Sequence, residues 1–298
     1  MSLKGVTSGW INLYKPEGIT SAFALRKIER LFKGVKIGHG GTLDPMASGV
    51  LPVALGEATK LLTLMLDAKK EYEFEVTFGT GTSTDDAQGD VLETSTVTPT
   101  FEELGSILSS FKGDILQIPP KVCALKIDGK RAYKLVKKGK DVELKARPIT
   151  IYEFELLGYE APKARFRALC SKGTYVRSLA RDMGKMLLTV AHISALKRTM
   201  SGPFSLKNAI PLEDFLNLCH TEEALEKVLR PGVVLDDIPA ISVSQEEACR
   251  LRWGQIIETS HKDAQNLVAL CEDELIAIVA CENGSLYTKR GFQEGFYR

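Results

Sequence analysis

The sequence has six cysteines in 298 residues but no CxxC pair and no Cys/His cluster at zinc-ligand spacing. That pattern excludes a disulfide framework and a structural zinc site, and it fits reduced, mostly buried thiols in a cytoplasmic protein. Long apolar runs are missing too. The longest of note, LLTLML at 61–66, falls far short of the roughly 20 residues that span a bilayer. No charged segment followed by an apolar one opens the sequence in the manner of a secretory signal. Phosphate-cradling loops are also lacking. GHGG at 38–41 has no third glycine for GxGxxG, GTGTST at 79–84 fails the same pattern, and no GxxxxGK[ST] occurs. Dinucleotide and P-loop chemistry are therefore without support. The four histidines form no HxxxH pair, and neither Ser48 nor Ser201 stands in a GxSxG elbow, which removes the usual marks of a Ser-His-Asp hydrolase.

What is present is an ordinary balance of 44% hydrophobic and 26% charged residues, in a chain long enough for one large domain and a small one. The net charge of +1 hides a strong segregation. Residues 61–120 carry −8, residues 121–207 carry +13, and residues 208–298 return to −8. A solvated surface of varying sign is one explanation of the basic block; a polyanionic partner is the other.

Local patterns divide the chain into elements. SGWINLYKPEGITS reads as a strand entering a Lys-Pro turn. Leu25, Ile28, Leu31 and Phe32 at helical spacing predict a helix stopped by Gly34. GEATKLLTLMLDAKK reads as helix and EYEFEVTFGTGT as a strand. Thr100 and Glu103 have capping-box spacing and open another helix. Two antiparallel strands are expected around Ala161-Pro162, a helix in TYVRSLARDMGKML, and extended chain in HISALKRTMSGPFSL. Residues 121–148 are rich in Lys and Arg and too long for a tight turn, which predicts an inserted arm of hairpin plus helix. Pro231-Gly232 is a plausible domain boundary, followed by short strands.

The densest feature is KIGHGGTLDPMASGVLPVALGEATK, 36–60, where glycines crowd around Asp44. Asp before Pro is an ordinary turn opener. Here, however, Gly38, Gly40, Gly41 and Gly49 would let backbone approach a ligand closely, and loops on rigid scaffolds commonly carry catalytic groups.

This segment resembles the catalytic motif of the TruB-type tRNA pseudouridine synthases, in which the Asp of G-T-L-D-P is essential. NLYKPEGITS at 12–21, KEYEF at 70–74, SKGTYVRSLARDMG at 171–184 and LKRTMSGPF at 196–204 match further family motifs in the same order. Gly40 departs from the family pattern, where Thr or Ala is common; it predicts slack beside the chemistry. The resemblance implies that Asp44 is catalytic and that Arg177 pairs with it, favouring the charged form of each. It implies that Tyr72 stacks on a flipped base, that Leu196 lines the uracil pocket, and that His39 helps fill the gap the base leaves. Lys15, of the K-P-x-G-x-[ST] motif, supports the active-site loop. Each has a plainer alternative: a surface arginine for Arg177, core packing for Tyr72 and Leu196, and a satisfied loop histidine for His39.

The resemblance also gives the arm a role in gripping the T-arm of tRNA. Lys126, Lys130, Arg131, Lys134 and Lys137 are then expected near phosphates. The expected fold is α+β: a catalytic domain on a large, mainly antiparallel sheet with flanking helices, over residues 1–229, and a small β-rich PUA-like RNA-binding module over 230–298. The expected reaction is isomerisation of uridine 55 of tRNA to pseudouridine by base flipping, with no cofactor and no metal, in a cytoplasmic, monomeric protein that has no membrane partner. The alternatives are a non-catalytic RNA-binding or chaperone protein on the same scaffold, and a synthase acting on another RNA.

Overall fold

The computed structural model describes residues 8–123, 125–127, 130–136, 142–218 and 223–293. Eight strands carry the site: β1 (Gly9–Lys15), β2 (Ile37–His39), β3 (Ala47–Leu55), β4 (Lys70–Phe78), β5 (Gly113–Gln117), β6 (Arg147–Glu160), β7 (Lys163–Cys170) and β8 (Ala191–Ser201). They belong to an 11-stranded sheet with the order Ile210–Pro211, β1, β3, β8, β4, β7, β6, β5. Only β1 with Ile210–Pro211 and β3 with β8 pair in parallel along this path. The sheet is therefore mainly antiparallel, as expected.

Alternation explains β4. Lys70, Phe74, Val76 and Phe78 point into the protein while Glu71, Glu73, Glu75 and Thr77 take the other face. Phe74 lies 5.6 Å from Phe166 of β7 and 6.2 Å from Phe154 of β6, centroid to centroid, so the aromatic row ties three strands into the core. The helix α1 (Ser21–Glu29) is capped by Thr20. It ends before the predicted Gly34, because its last turn tightens: the Leu31 amide bonds the Ile28 carbonyl at 2.9 Å. Phe32 is thereby turned onto Phe215, 6.4 Å away. GEATKLLTLML begins as a 3-10 turn over Gly56–Leu61 and becomes α-helical only at α2 (Leu62–Asp67). The Thr100–Glu103 capping box forms and starts α3 (Phe101–Ile107). The helix α4 (Val176–Met186) lays Leu179, Ala180 and Met183 onto the sheet.

The C-terminal module is a five-stranded sheet, in the order Ala240–Ser242, Ala264–Cys271, Glu274–Glu282, Ser285–Gly291, Ile257–Glu258. It is seated against the end of the large sheet and its flanking turns by a shared apolar cluster. Trp10, Leu61, Met65 and Phe204 meet Leu235, Val268, Leu275 and Phe292 there. Among the described residues no helix is long and apolar enough to cross a membrane.

Candidate active site

The register of β8 assembles the site. Leu196 pairs with Ala47 on one side and Phe74 on the other, and Arg198 pairs with Gly49 and Tyr72. One strand thus carries the Asp44 loop on one side and the aromatic Tyr72 on the other. The loop itself lies between β2 and β3 and is braced at several points. Gly40 N–H bonds Pro52 O at 2.8 Å. Ser21 Oγ donates to Leu43 O at 2.9 Å and accepts from Leu43 N–H at 2.8 Å. Gly49 has φ +108°, and a Cβ there would stand 2.2 Å from the Arg198 carbonyl oxygen, so glycine is what allows this approach.

Asp44 closes the loop. Its Oδ2 is 3.0 Å from Arg177 Nη2. Arg177 comes from the start of α4, is nearly buried, and is held on every side. Nη1 lies 3.3 Å from Asp86 Oδ2 and donates to Thr84 O at 3.0 Å, while Nη2 donates to Val122 O at 3.1 Å. The carboxylate keeps 38% of its side-chain surface exposed against 6% for the guanidinium, so the free face of Asp44 looks outward. It looks into a cavity of about 190 Å³ whose walls include Tyr72, Leu196, Cys123 and Tyr175.

Burial pushes the Tyr72 phenol above its ordinary value, with the Arg198 cation acting the other way. Lys15 is fully buried and donates from Nζ to Pro16 O at 2.9 Å, Ile19 O at 2.8 Å and Pro45 O at 3.5 Å. It therefore holds the chain directly after Asp44. Burial pulls its amine down to about 8, against the opposing pull of Asp44. His39 ends β2, pairs with Val53, and is held below its ordinary value by burial and by the Arg198 charge. It is a neutral imidazole near pH 7, with Nδ1 buried and unpartnered among the described residues.

The arm rises from the same place. Lys126 lies on the short strand Lys126–Ile127, paired with Lys130–Arg131, and Lys134 lies in the helix Ala132–Val136 that follows. Lys137 is outside the described residues. The arm's root packs Cys123, Ala132 and Val142 against Tyr175. Asp44, Tyr72, Arg177 and Leu196 thus share one cavity, with Lys15 behind the loop and His39 at its entry. Two contributors were missed from the sequence. Asp86 lies two residues past GTGTST, 79–84, which was considered only as a failed phosphate loop. Arg198 lies inside LKRTMSGPF, beside the Leu196 that drew attention. The signal for both was a charged residue within a motif; the contact partner is remote in sequence. Gly40 is also not slack: a Cβ there would meet Met65 Cβ at 2.9 Å, so Met65 already occupies the space.

Sheet, cleft and carboxylate–guanidinium pair are the arrangement expected of a pseudouridylate synthase. The chain belongs to the TruB family: the model of the TruB pseudouridylate synthase N-terminal domain matches residues 29–176, and that of the tRNA pseudouridylate synthase B C-terminal domain matches 177–233. Among its relatives, tRNA pseudouridine synthase B of Nitrobacter winogradskyi is 43% identical over 95% of this chain and 82% of its own length. The enzyme of the same name from Sinorhizobium medicae is 40% identical over 96% of each. Among solved structures, a Cbf5-Nop10-Gar1 complex has a chain with TM-score 0.75 and 26% identity, covering 96% of this chain and 85% of that one. A chain of an H/ACA RNP bound to a substrate RNA containing 2′-deoxyuridine has TM-score 0.74 at 24% identity, covering 97% and 87%, and shares the fold.

Proposed function

We propose that this protein converts uridine 55 in the T loop of tRNA to pseudouridine, with Asp44 as the essential carboxylate. The reaction breaks N1–C1′, turns the freed uracil, and forms C5–C1′. The proton on C5 leaves, and N1 gains one. Substrate and product have the same atoms, so the stoichiometry calls for no oxidant, reductant or group donor. What the protein must supply is a flipped nucleotide, a charged group beside it, and a closed space in which the uracil turns without escaping.

The observation that carries this reading is the Asp44–Arg177 pair, 3.0 Å apart at the wall of a small cavity. Arg177 fixes one carboxylate oxygen and leaves the other toward the cavity. Tyr72 offers a ring on which the flipped base stacks, a contact worth about 1–3 kcal/mol. Leu196 gives the base an apolar opposite wall, and His39 fills the vacated stack from the loop's entry. The basic arm then closes over the T-arm through phosphate contacts and shape. The protein acts as a cytoplasmic monomer on this reading.

The test is an assay on an unmodified tRNA transcript, comparing wild type with Asp44→Asn and mapping any product to its nucleotide. The expected result is one pseudouridine in the T loop from wild type, and tight binding without product from Asp44→Asn. Salt-sensitive binding by wild type with no pseudouridine would leave an RNA-binding protein on this scaffold, or a synthase for another RNA.

A further inference from the structure

Beneath the catalytic loop lies a guanidinium that the reading above does not use. Arg198 is 1% exposed. Its Nε donates to Val50 O at 2.7 Å and its Nη2 to Gly41 O at 3.0 Å. The third partner is the Tyr72 phenol oxygen. All three are uncharged oxygens. A buried cation held in this way is costly, and an apolar residue of similar volume would fill the space without that cost. Stability alone gives no reason for an arginine here.

Its contacts suggest the reason. Gly41 precedes Asp44 by three positions and Val50 follows it by six. The guanidinium therefore ties both flanks of the catalytic loop, from below, to the aromatic ring that walls the cavity. Cross-strand register places it for this task, since Arg198 is the partner of Gly49 in β3 and of Tyr72 in β4. A lysine could supply the charge but not three directed donors from a planar fork.

We propose that Arg198 is a positioning residue that fixes the Tyr72 ring and the Asp44 loop relative to each other, so that the base stays aligned with the carboxylate while it turns. This rests on the roles given to Asp44 and Tyr72 above. The charged and titratable groups that face the phenol are Arg198, Cys170 and Asp44. Only the first favours the ionised phenolate, so withdrawing it moves the phenol's titration upward.

The experiment combines Arg198→Lys, Arg198→Gln, Tyr72→Phe and the corresponding double variants. It measures single-turnover pseudouridine formation, tRNA affinity and melting temperature. The expected result for Arg198→Lys is a rate about 10- to 100-fold lower, as expected for a displaced reacting pair, with tRNA affinity within about threefold of wild type. The loss should shrink in the Tyr72→Phe background, because the two residues act through one contact. A wild-type rate in Arg198→Lys, or losses that multiply independently, overturns the proposal. Fluorine NMR of 3-fluorotyrosine placed at position 72 reads the positioning without activity. The resonance should move in whichever Arg198 variant remains folded, and titrate at higher pH where Arg198→Gln withdraws the charge; an unchanged signal overturns the proposal. If wild type makes no pseudouridine, it is the Asp44 reading that fails, and the fluorine signal still decides whether Arg198 holds Tyr72.

Discussion

Arg177 stands between two carboxylates, with Nη2 3.0 Å from Asp44 Oδ2 and Nη1 3.3 Å from Asp86 Oδ2. The two are not equivalent. The Asp86 side chain is 6% exposed and is itself held, accepting from Thr84 Oγ1 at 2.6 Å and from Gln88 N–H at 3.0 Å, both at Oδ1. Asp44 faces the cavity. Asp86 therefore acts as the fixed side of a clamp, and Arg177 transmits its position to Asp44.

Asp86→Asn removes the charge and leaves the packing. It leaves Arg177 with one carboxylate partner and two carbonyls, and frees it to shift toward Asp44 or away. Arg177 keeps Asp44 as a partner, so the stability loss stays below the roughly 3–5 kcal/mol of an uncompensated buried charge, while the displaced reacting pair should lower the chemical rate by about 10- to 100-fold. The affinity for tRNA should hardly change, because Asp86 is outside the cavity wall. Single-turnover kinetics with a parallel binding titration separate the two. A loss confined to affinity would remove Asp86 from the clamp.

Lys15 sets a pH dependence with a definite sign. Its amine is pulled down to about 8 in the fold, from 10.5, and Lys70 is likewise pulled to about 8 by burial. Between about pH 8 and 10 the unfolded chain holds more protons on these amines than the folded one, so stability rises with pH. Below pH 8 both states are charged and the burial cost is present in full. Each lysine contributes on the order of 1–3 kcal/mol to this rise. Denaturant titrations at several pH values should show it, and Lys15→Met should remove about half of it, leaving the Lys70 share. Activity should move the other way above pH 8, since the neutral amine holds Pro45 O less firmly and loosens the chain beside Asp44.

Glycine at 49 and at 40 predicts two different failures. At Gly49 a methyl group would strike the Arg198 backbone, with the carbonyl oxygen at 2.2 Å and the nitrogen at 2.8 Å, at φ +108°. Gly49→Ala must part β3 from β8 and should cost about 3 kcal/mol or more, taking activity with it because both flanks of the loop move. Gly173 has φ +79° but open space around its missing Cβ. Gly173→Ala should therefore cost only about 1 kcal/mol of backbone strain. At Gly40 the obstacle is Met65, whose Cβ would be 2.9 Å away. Gly40→Thr should destabilise by about 1–3 kcal/mol, and much less in a Met65→Ala background. Melting curves for the single and double variants decide both points, and additive losses at 40 and 65 would refute the shared space.

The reach of the sequence differed with the range of the interaction. The glycine loop, the Thr100–Glu103 cap and the β6–β7 hairpin are local, and each was legible from residues a few positions apart. The Asp86 contact with Arg177 spans about ninety positions and is made by a loop that has no period. The helix α1 was read four residues or more too long because Leu31 and Phe32 keep helical spacing, while their packing against a later segment decides the turn. Charge was the most instructive. The acidic and basic blocks meet in the fold: across the sheet Glu71 pairs with Arg167 at 2.6 Å and Glu75 with Lys163 at 2.9 Å, and beside it Asp67 pairs with Lys172 at 2.8 Å. Much of the apparent +13 is neutralised within the fold, and the buried Arg177 and Arg198 are not on the surface at all. A linear charge count records composition along the chain, not the potential outside it.

That cancellation sharpens the expectation for the arm. Residues 122–148 hold nine Lys/Arg and three Asp/Glu. Lys163 and Arg167 of the sheet are already paired and the buried Arg177 and Arg198 are out of reach, so the arm is the densest run of cations in the basic block. Neutralising Lys126, Lys130, Arg131 and Lys134 one at a time should weaken tRNA binding without changing where the product appears. Each variant that removes a phosphate contact should lower the slope of log affinity against log salt by about 0.7 to 0.9. The chemical step at saturating tRNA should stay near wild type if, as proposed, these residues meet phosphates rather than the flipped base. A set of variants that keeps the full salt slope would move the electrostatic footprint off the arm and onto another face of the protein. A set that loses slope and rate together would mean that arm closure also completes the cavity, through the Val122 carbonyl that Arg177 already holds at 3.1 Å.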